Sequence, residues 1–363
     1  MSVSQFFGND YVSARSLFLN ACQQRGIKAT SRRHPTAVGP GGEDLFMDVV
    51  RLGSNNAKGI FFVTSATHGT EGLTGSGVQV ALLNGALTQK LPDDVALVLV
   101  HAINPYGFAH LRRTNEDNID LNRNFVDFSN PLPENCAYDD IHSLIVPPAW
   151  SGPKRDQAEK ALTDYSEQHG EKKLQAVLLK GQYTQPSGLF YGGTEPSWSN
   201  RCWSEIVAAQ GQGARHLAII DVHTGVGPTG YGEPIFVGRD RDIFRARDWY
   251  GEDVTNAGKG KSHASEFKGP MVTALWSQYP ELDHTAIVLE FGTRPLSQVL
   301  QALRADNWLH LHPETHHAQY QKIKRDLRDA LYVDEDAWRR DIWTRSKHLI
   351  GRGIIALGRT VSS

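Results

Sequence analysis

Histidine and glutamate three residues apart, in Thr67-His68-Gly-Thr-Glu71-Gly72, can aim an imidazole nitrogen and a carboxylate at one point from a single tight turn. Catalytic zinc favours both ligand types, and a second histidine would complete a His2Glu set with one position left open for water. His223, in Asp221-Val-His223-Thr-Gly225, is a candidate third ligand, and Asp221 two positions earlier lies on the same strand face, where it could orient it. Glu290 closes the apolar run Val288-Leu-Glu290-Phe-Gly292. A carboxylate there is costly unless paired, protonated or metal-bound, and it could serve as a general base. Arg112, Arg113 and Arg123 are interleaved with Asn104, Asn115, Asn122 and Asn124. Planar guanidinium forks suit a substrate carboxylate or a developing oxyanion. Each feature also has a plainer reading. His68 and Glu71 could be a core histidine and a capping glutamate, and His223 a buried structural residue. The arginines could form a salt-bridge network, and Glu290 could pair with Arg294. The histidines at 310, 312, 316 and 317 have helical spacing that could bind metal, but they read better as a solvated loop and helix start.

These side chains need a frame, and the apolar pattern supplies one. Asp44 to Leu52 alternates like a half-buried strand, and Gly59 to Ala66 runs continuously apolar like a buried one. Val95–Val100, His216–Val222 and Thr285–Phe291 are further strands, and Leu73–Gln89 is a helix. Strands alternating with helices predict an α/β class with a largely parallel sheet. Three chemistry-bearing segments begin where a strand runs out, the edge at which ligands collect in open α/β sheets. Helices are expected near 153–181 and 198–212, and again at Gln298–Leu311, Ala318–Tyr332 and Asp336–Leu349, the last three as outer layers. The proline- and glycine-rich interval of about 126–213 is expected as an inserted lid or pocket wall. The whole, 1–363, reads as one catalytic domain with a helical C-terminal elaboration of about 296–363.

Net charge is −2 over 363 residues, so no global field recruits nucleic acid or an anionic membrane. Mean hydropathy is −0.40 and the pI about 6.7. No stretch approaches 18 consecutive apolar residues, which argues against a membrane span. Three scattered cysteines, Cys22, Cys136 and Cys202, form no metal or disulfide pattern, and the start of the chain lacks signal-peptide features. A cytoplasmic protein is the expectation.

Set in order, these segments resemble the signature of the zinc carboxypeptidase superfamily, the carboxypeptidase A-like metallopeptidases, and within it a bacterial branch. The HxxE pair is followed by Asn104-Pro-Tyr-Gly107, Arg113-Thr-Asn115, Asn122-Arg123 within Asp120-Leu-Asn-Arg-Asn-Phe125, His223 and Glu290. Pro186-Ser-Gly-Leu-Phe-Tyr-Gly-Gly193 and Asp-Val-His-Thr-Gly-Val-Gly-Pro228 add to the likeness. The resemblance implies a three-layer α/β/α fold around a twisted, mostly parallel mixed sheet, with one Zn2+ on His68, Glu71 and His223. It implies Glu290 as the base that takes a proton from water and returns it to the leaving amine, and Arg113 as the residue polarising the scissile carbonyl. Asn122 and Arg123 would hold a substrate carboxylate. The family's mobile tyrosine has no clear counterpart: Tyr231, Tyr250 and Tyr279 lie in the right interval, with no motif to anchor any of them.

The expected activity is hydrolysis of an amide next to a free carboxylate, in a small peptide or amino-acid conjugate, with neither nucleic acid nor membrane as partner. A deacylase of the aspartoacylase and succinylglutamate desuccinylase type shares the HxxE, Asn-Arg and distant-His pattern and is the alternative. A binding protein that keeps the fold without catalysis is a second alternative. The spacing leaves the oligomeric state and the possibility of a second metal open.

Overall fold

The computed structural model describes residues 2–257, 262–263 and 267–362. Its eight strands are β1 (Thr30–Val38), β2 (Asp44–Gly53), β3 (Gly59–Thr64), β4 (Val95–His101), β5 (His216–Thr229), β6 (Gly232–Val237), β7 (Thr255–Asn256) and β8 (Asp283–Gly292). They form one mixed sheet in the order β1-β2-β4-β3-β5-β8-β6-β7. The centre, β4-β3-β5-β8, is parallel, and antiparallel pairs flank it. Every residue of β3 and β4 is buried. Strands covered on both faces must be apolar throughout, which is why these two read as unbroken runs.

The first helices are α1 (Tyr11–Gln24), α2 (Gly72–Asn84) and α3 (Pro105–Ala109). The interval 126–213 carries α4 (Cys136–Ile145), α5 (Pro153–His169), α6 (Glu171–Leu179) and α7 (Trp198–Gln210). The remainder are α8 (Ile243–Tyr250), α9 (Ala274–Gln278), α10 (Leu296–Leu311), α11 (His317–Leu331) and α12 (Asp336–Ser362). One face of the sheet packs on α1, α2, α8 and α12, and the other on α7 and α9. These layers make the expected three-layer α/β/α arrangement.

Several elements differ from the expectation. Helices α10 and α11 are not outer layers: they pack with α4, α5 and α6 around Tyr138, Leu178, Leu303 and Leu327 as a cap over one end of the sheet. Gly170, at φ +87°, breaks the first inserted helical stretch into α5 and α6. The helix after β3 ends at Asn84 and continues only as a 3-10 turn over Ala86–Thr88. The last helix runs on past Leu349 through Gly351 and Gly353 to Ser362. Glycine costs roughly 1 kcal/mol in a helix, but here it permits close packing: a Cβ on Gly353 would lie 2.5 Å from the Phe61 ring in β3.

Candidate metal centre and cavity

The chain leaves β3 for β4 on one side of the sheet, while β5 lies on the other. Such a switch of direction opens a crevice at the carboxyl ends of the strands, and His68 and His223 stand on either side of it. The His68 turn is held by backbone contacts. Gly69 N donates to the carbonyl of Arg113 at 3.3 Å and Thr70 N to that of Arg112 at 3.0 Å. Gly69 abuts Gly107 so closely that a Cβ on it would fall 1.9 Å from the Gly107 carbonyl carbon. Asn104 caps α3 by accepting from Gly107 N at 2.8 Å, and its amide donates to the Arg113 carbonyl at 3.3 Å. The Asn-Pro-Tyr-Gly turn thus buttresses both the HxxE turn and the arginine loop.

His68 Nδ1 lies 2.9 Å from Glu71 Oε1, and His223 Nδ1 lies 2.9 Å from Glu71 Oε2. The Thr224 backbone N–H donates to Glu71 Oε2 at 3.1 Å. Donor atoms of His68, Glu71 and His223 all fall within 4.8 Å of one another, the one such group able to hold a metal ion among the described residues. The far side of each ring is engaged too: His68 Nε2 meets Asp120 Oδ1 at 3.2 Å, and His223 Nε2 meets Asp221 Oδ2 at 2.6 Å. Asp221 is itself fixed by the hydroxyls of Thr64 and Thr67, at 2.6 and 2.9 Å. Two imidazole nitrogens and a carboxylate, backed by carboxylates, form a donor set that fits zinc.

The charges are strongly coupled. Burial works to raise the Glu71 carboxyl, but the two imidazoles outweigh it and hold it below the usual range. Burial likewise opposes protonation of His223, yet Asp221 and Glu71 raise it well above an ordinary histidine. Asp120 is held well below a normal carboxylate against its burial, chiefly by Arg113.

These residues open on a cavity that Arg113, Asn122, Arg123 and Glu290 also line. Arg113 is tethered by Nε donating to Asp120 Oδ2 at 2.9 Å, with Nη1 3.5 Å from Glu71 Oε1. Arg112, its neighbour, turns away to a buried cluster, where Nε donates to Asp306 Oδ2 at 3.2 Å and Lys324 donates to the same carboxylate at 2.6 Å. Arg123 is buried against the ring of Phe267 at 3.7 Å. Its Nη atoms donate to the carbonyls of Asn122 and Leu179, while the buried Nε has no hydrogen-bond partner among the described residues. Burial pulls the Arg123 guanidinium down to about 10, still cationic at neutral pH. Asn122 Oδ1 accepts from Met271 N at 2.9 Å.

Glu290 accepts from Val226 N at 3.0 Å. Burial, and then the Glu71 charge, push its carboxyl up to about 7. Gly225, at φ +142°, lets β5 turn beside it; a side chain there would be strained. Arg294 does not pair with Glu290 and donates instead to the Asp329 carbonyl at 3.3 Å. The rest of the wall is apolar, with Leu179 and Phe190 from the inserted interval, Leu296, Val299 and Leu303 from α10 and Leu331 from α11.

None of the three tyrosines lines the cavity. Tyr250 is buried in the core, Tyr279 donates to the Ala208 carbonyl at 2.6 Å, and Tyr231 borders a neighbouring hollow. The late histidines do not converge either: His312 bonds the Trp308 carbonyl at 2.8 Å, and His316 caps α11. Sequence reasoning passed over Asp120, although it opens the Asp-Leu-Asn-Arg segment. It also gave no sign of His263, which lines the cavity and carries no motif.

A family model described as "Protein of unknown function (DUF2817)" matches residues 7–345. No curated protein matches the chain. Among solved structures, thrombin activatable fibrinolysis inhibitor aligns over 98% of this chain and 79% of its own, at 9% identity and a TM-score of 0.52. Carboxypeptidase A from Helicoverpa armigera aligns over 98% and 75%, at 9% identity and a TM-score of 0.49. A succinylglutamate desuccinylase/aspartoacylase family protein from Shewanella amazonensis aligns over 78% and 72%, at 17% identity and a TM-score of 0.39. The likeness to thrombin activatable fibrinolysis inhibitor is one of fold. By its match over residues 7–345, the chain belongs to the DUF2817 family.

Proposed function

We propose that this chain is a zinc-dependent hydrolase of an amide bond next to a free carboxylate, a carboxypeptidase-like peptidase acting on a small peptide or amino-acid conjugate. The observation that carries the reading is the meeting of His68, Glu71 and His223 donors at one point, beside Glu290 in a single cavity. Zinc held by these ligands would supply Lewis acidity and lower the pKa of water to about 7.

The chain's own residues divide the remaining work. Glu290, with its carboxyl near 7, can accept a proton from the attacking water at neutral pH. Arg113, oriented by Asp120, would stabilise the oxyanion, and losing one such donor typically costs about 2.7–4 kcal/mol. Arg123 and Asn122 would place the substrate by its carboxylate. The unpartnered Arg123 Nε supports this, since a buried N–H without an acceptor is costly until a ligand supplies one. The apolar wall would take an apolar substituent.

Cap helices close over the cavity, which favours a short substrate and keeps an N-acyl amino acid as the second reading. Zinc-loaded protein should be offered dipeptides, tripeptides and N-acyl amino acids, each with a free and an amidated carboxyl. Cleavage of free-acid forms alone is expected. Peptide turnover supports the peptidase, turnover confined to N-acyl amino acids the deacylase, and no zinc-dependent cleavage of any would contradict both.

A further inference from the structure

One cavity side chain has no part in that chemistry. His263 lines the same cavity as His68, Arg113 and Glu290, with its side chain 43% exposed. Its Nδ1 lies 2.8 Å from Oε2 of Glu233, a buried carboxylate that also accepts from the Thr255 hydroxyl. The His263 backbone N–H points to the same carboxylate at 3.3 Å. A buried carboxylate on Nδ1 fixes the orientation of an imidazole and leaves Nε2 to face the cavity.

Strand register places this pair beside the reacting groups. His223 on β5 is the partner of Glu290 on β8, and Glu290 is in turn the partner of Glu233 on β6. Directly opposite residues of adjacent strands share a face with Cα atoms roughly 4.5–5.5 Å apart. A candidate metal ligand, a candidate base and the carboxylate holding His263 therefore form one row across the sheet. The exit of β5 links them again. A Cβ on Gly227 would lie 3.8 Å from the His263 ring, and one on Gly225 would lie 3.7 Å from Glu290 Oε1. Two residues of chain span at most about 7 Å, so the imidazole and the Glu290 carboxylate flank the same short stretch. Among the described residues lining the cavity there is neither tyrosine nor lysine. His263 is thus the one side chain there, beyond the candidate ligands and Glu290, that ordinarily exchanges protons near neutral pH.

We propose that His263, oriented by Glu233, is a catalytic residue that protonates the leaving nitrogen; this rests on the hydrolase reading above. As the C–N bond of the tetrahedral intermediate breaks, its electron pair stays on nitrogen, which takes the proton from His263 Nε2. The neutral imidazole keeps its Nδ1–H on Glu233. The proton that Glu290 removed from water passes to solvent, from which His263 is recharged through its exposed face. Glu290 is then left with proton removal alone.

The test compares an amide with the ester of the same acyl group bearing a good leaving group, since an alkoxide or phenoxide departs without protonation. In zinc-loaded His263→Gln, amide turnover should fall about 100-fold and ester turnover by no more than about threefold, with metal content unchanged. Glu233→Gln should move the amide-to-ester ratio in the same direction by a smaller factor. Equal losses on both substrates, or no loss on either, would overturn the assignment. Wild-type protein inert toward amide and ester alike would remove the hydrolase reading and this proposal with it, an outcome distinct from parallel losses in an active enzyme.

Discussion

The Nδ1 atoms of His68 and His223 face each other at 3.2 Å, while each ring turns its Nε2 to an aspartate. An imidazole that donates from Nε2 presents a lone pair at Nδ1. Two such lone pairs at this separation repel unless a proton or a cation lies between them. Zinc at saturating concentration should therefore stabilise the fold, by about 2.7 kcal/mol at a hundred times Kd. Scanning calorimetry should show the transition rising with zinc in the wild type and unchanged in His223→Ala.

Asp120 joins the candidate metal centre to the arginine loop, accepting from His68 Nε2 and Arg113 Nε through different oxygens. Asp120→Asn keeps the shape but loses the charge that orients both. Zinc affinity, measured by competition with a chromogenic chelator, should drop roughly 10- to 100-fold, as is typical for such partners. An unchanged affinity would show that His68 is held by its turn alone.

The contact of Gly69 with Gly107 leaves no room for a methyl group. Both neighbours are backbone, so Gly69→Ala must separate the two turns. Denaturant unfolding should show a loss of at least the roughly 1–3 kcal/mol usual for overpacking, with reduced zinc binding in the protein that folds.

Burial pushes three histidines outside the site down, His101 and His284 to about 4 and His216 to about 3. Their folded pKa values are below the unfolded one, so below about pH 6.5 the unfolded chain takes up protons that the native state refuses. Their contribution to stability is present above about pH 6.5 and is lost as pH falls toward 4, by up to about 1.4 kcal/mol per pH unit for each. His101→Gln can retain a bond to Ser76, which lies 2.9 Å from His101 Nε2. In metal-free protein, urea unfolding from pH 7 to 4.5 should show a shallower loss for this variant than for the wild type.

Much of the site could be read before folding because each group sits beside a strong local signal. β3 and β4 are unbroken apolar runs, and His68, His223 and Glu290 stand at the ends of such runs. β1 was invisible for the opposite reason. It is an edge strand, Thr-Ser-Arg-Arg-His-Pro-Thr-Ala-Val, whose charges and Pro35 suit an exposed edge and mask any strand pattern. The helix expected to end at Leu349 runs on because its glycines are tertiary in role: Gly353 lets α12 approach Phe61 and Gly351 faces Leu87. The pairing of Glu233 with His263 depends on the register of β6 against β8 and a contact 30 residues along the chain. No local pattern encodes it.

The most direct test measures metal content and amide turnover on the same preparations of wild type and Glu290→Gln. Both should carry one zinc per chain, and the variant should lose turnover at least about a thousandfold while its unfolding transition is unchanged. A Glu290→Gln protein with near-normal kcat, or a His223→Ala protein that has lost the metal yet cleaves the amide as well as the wild type, would contradict the assignment.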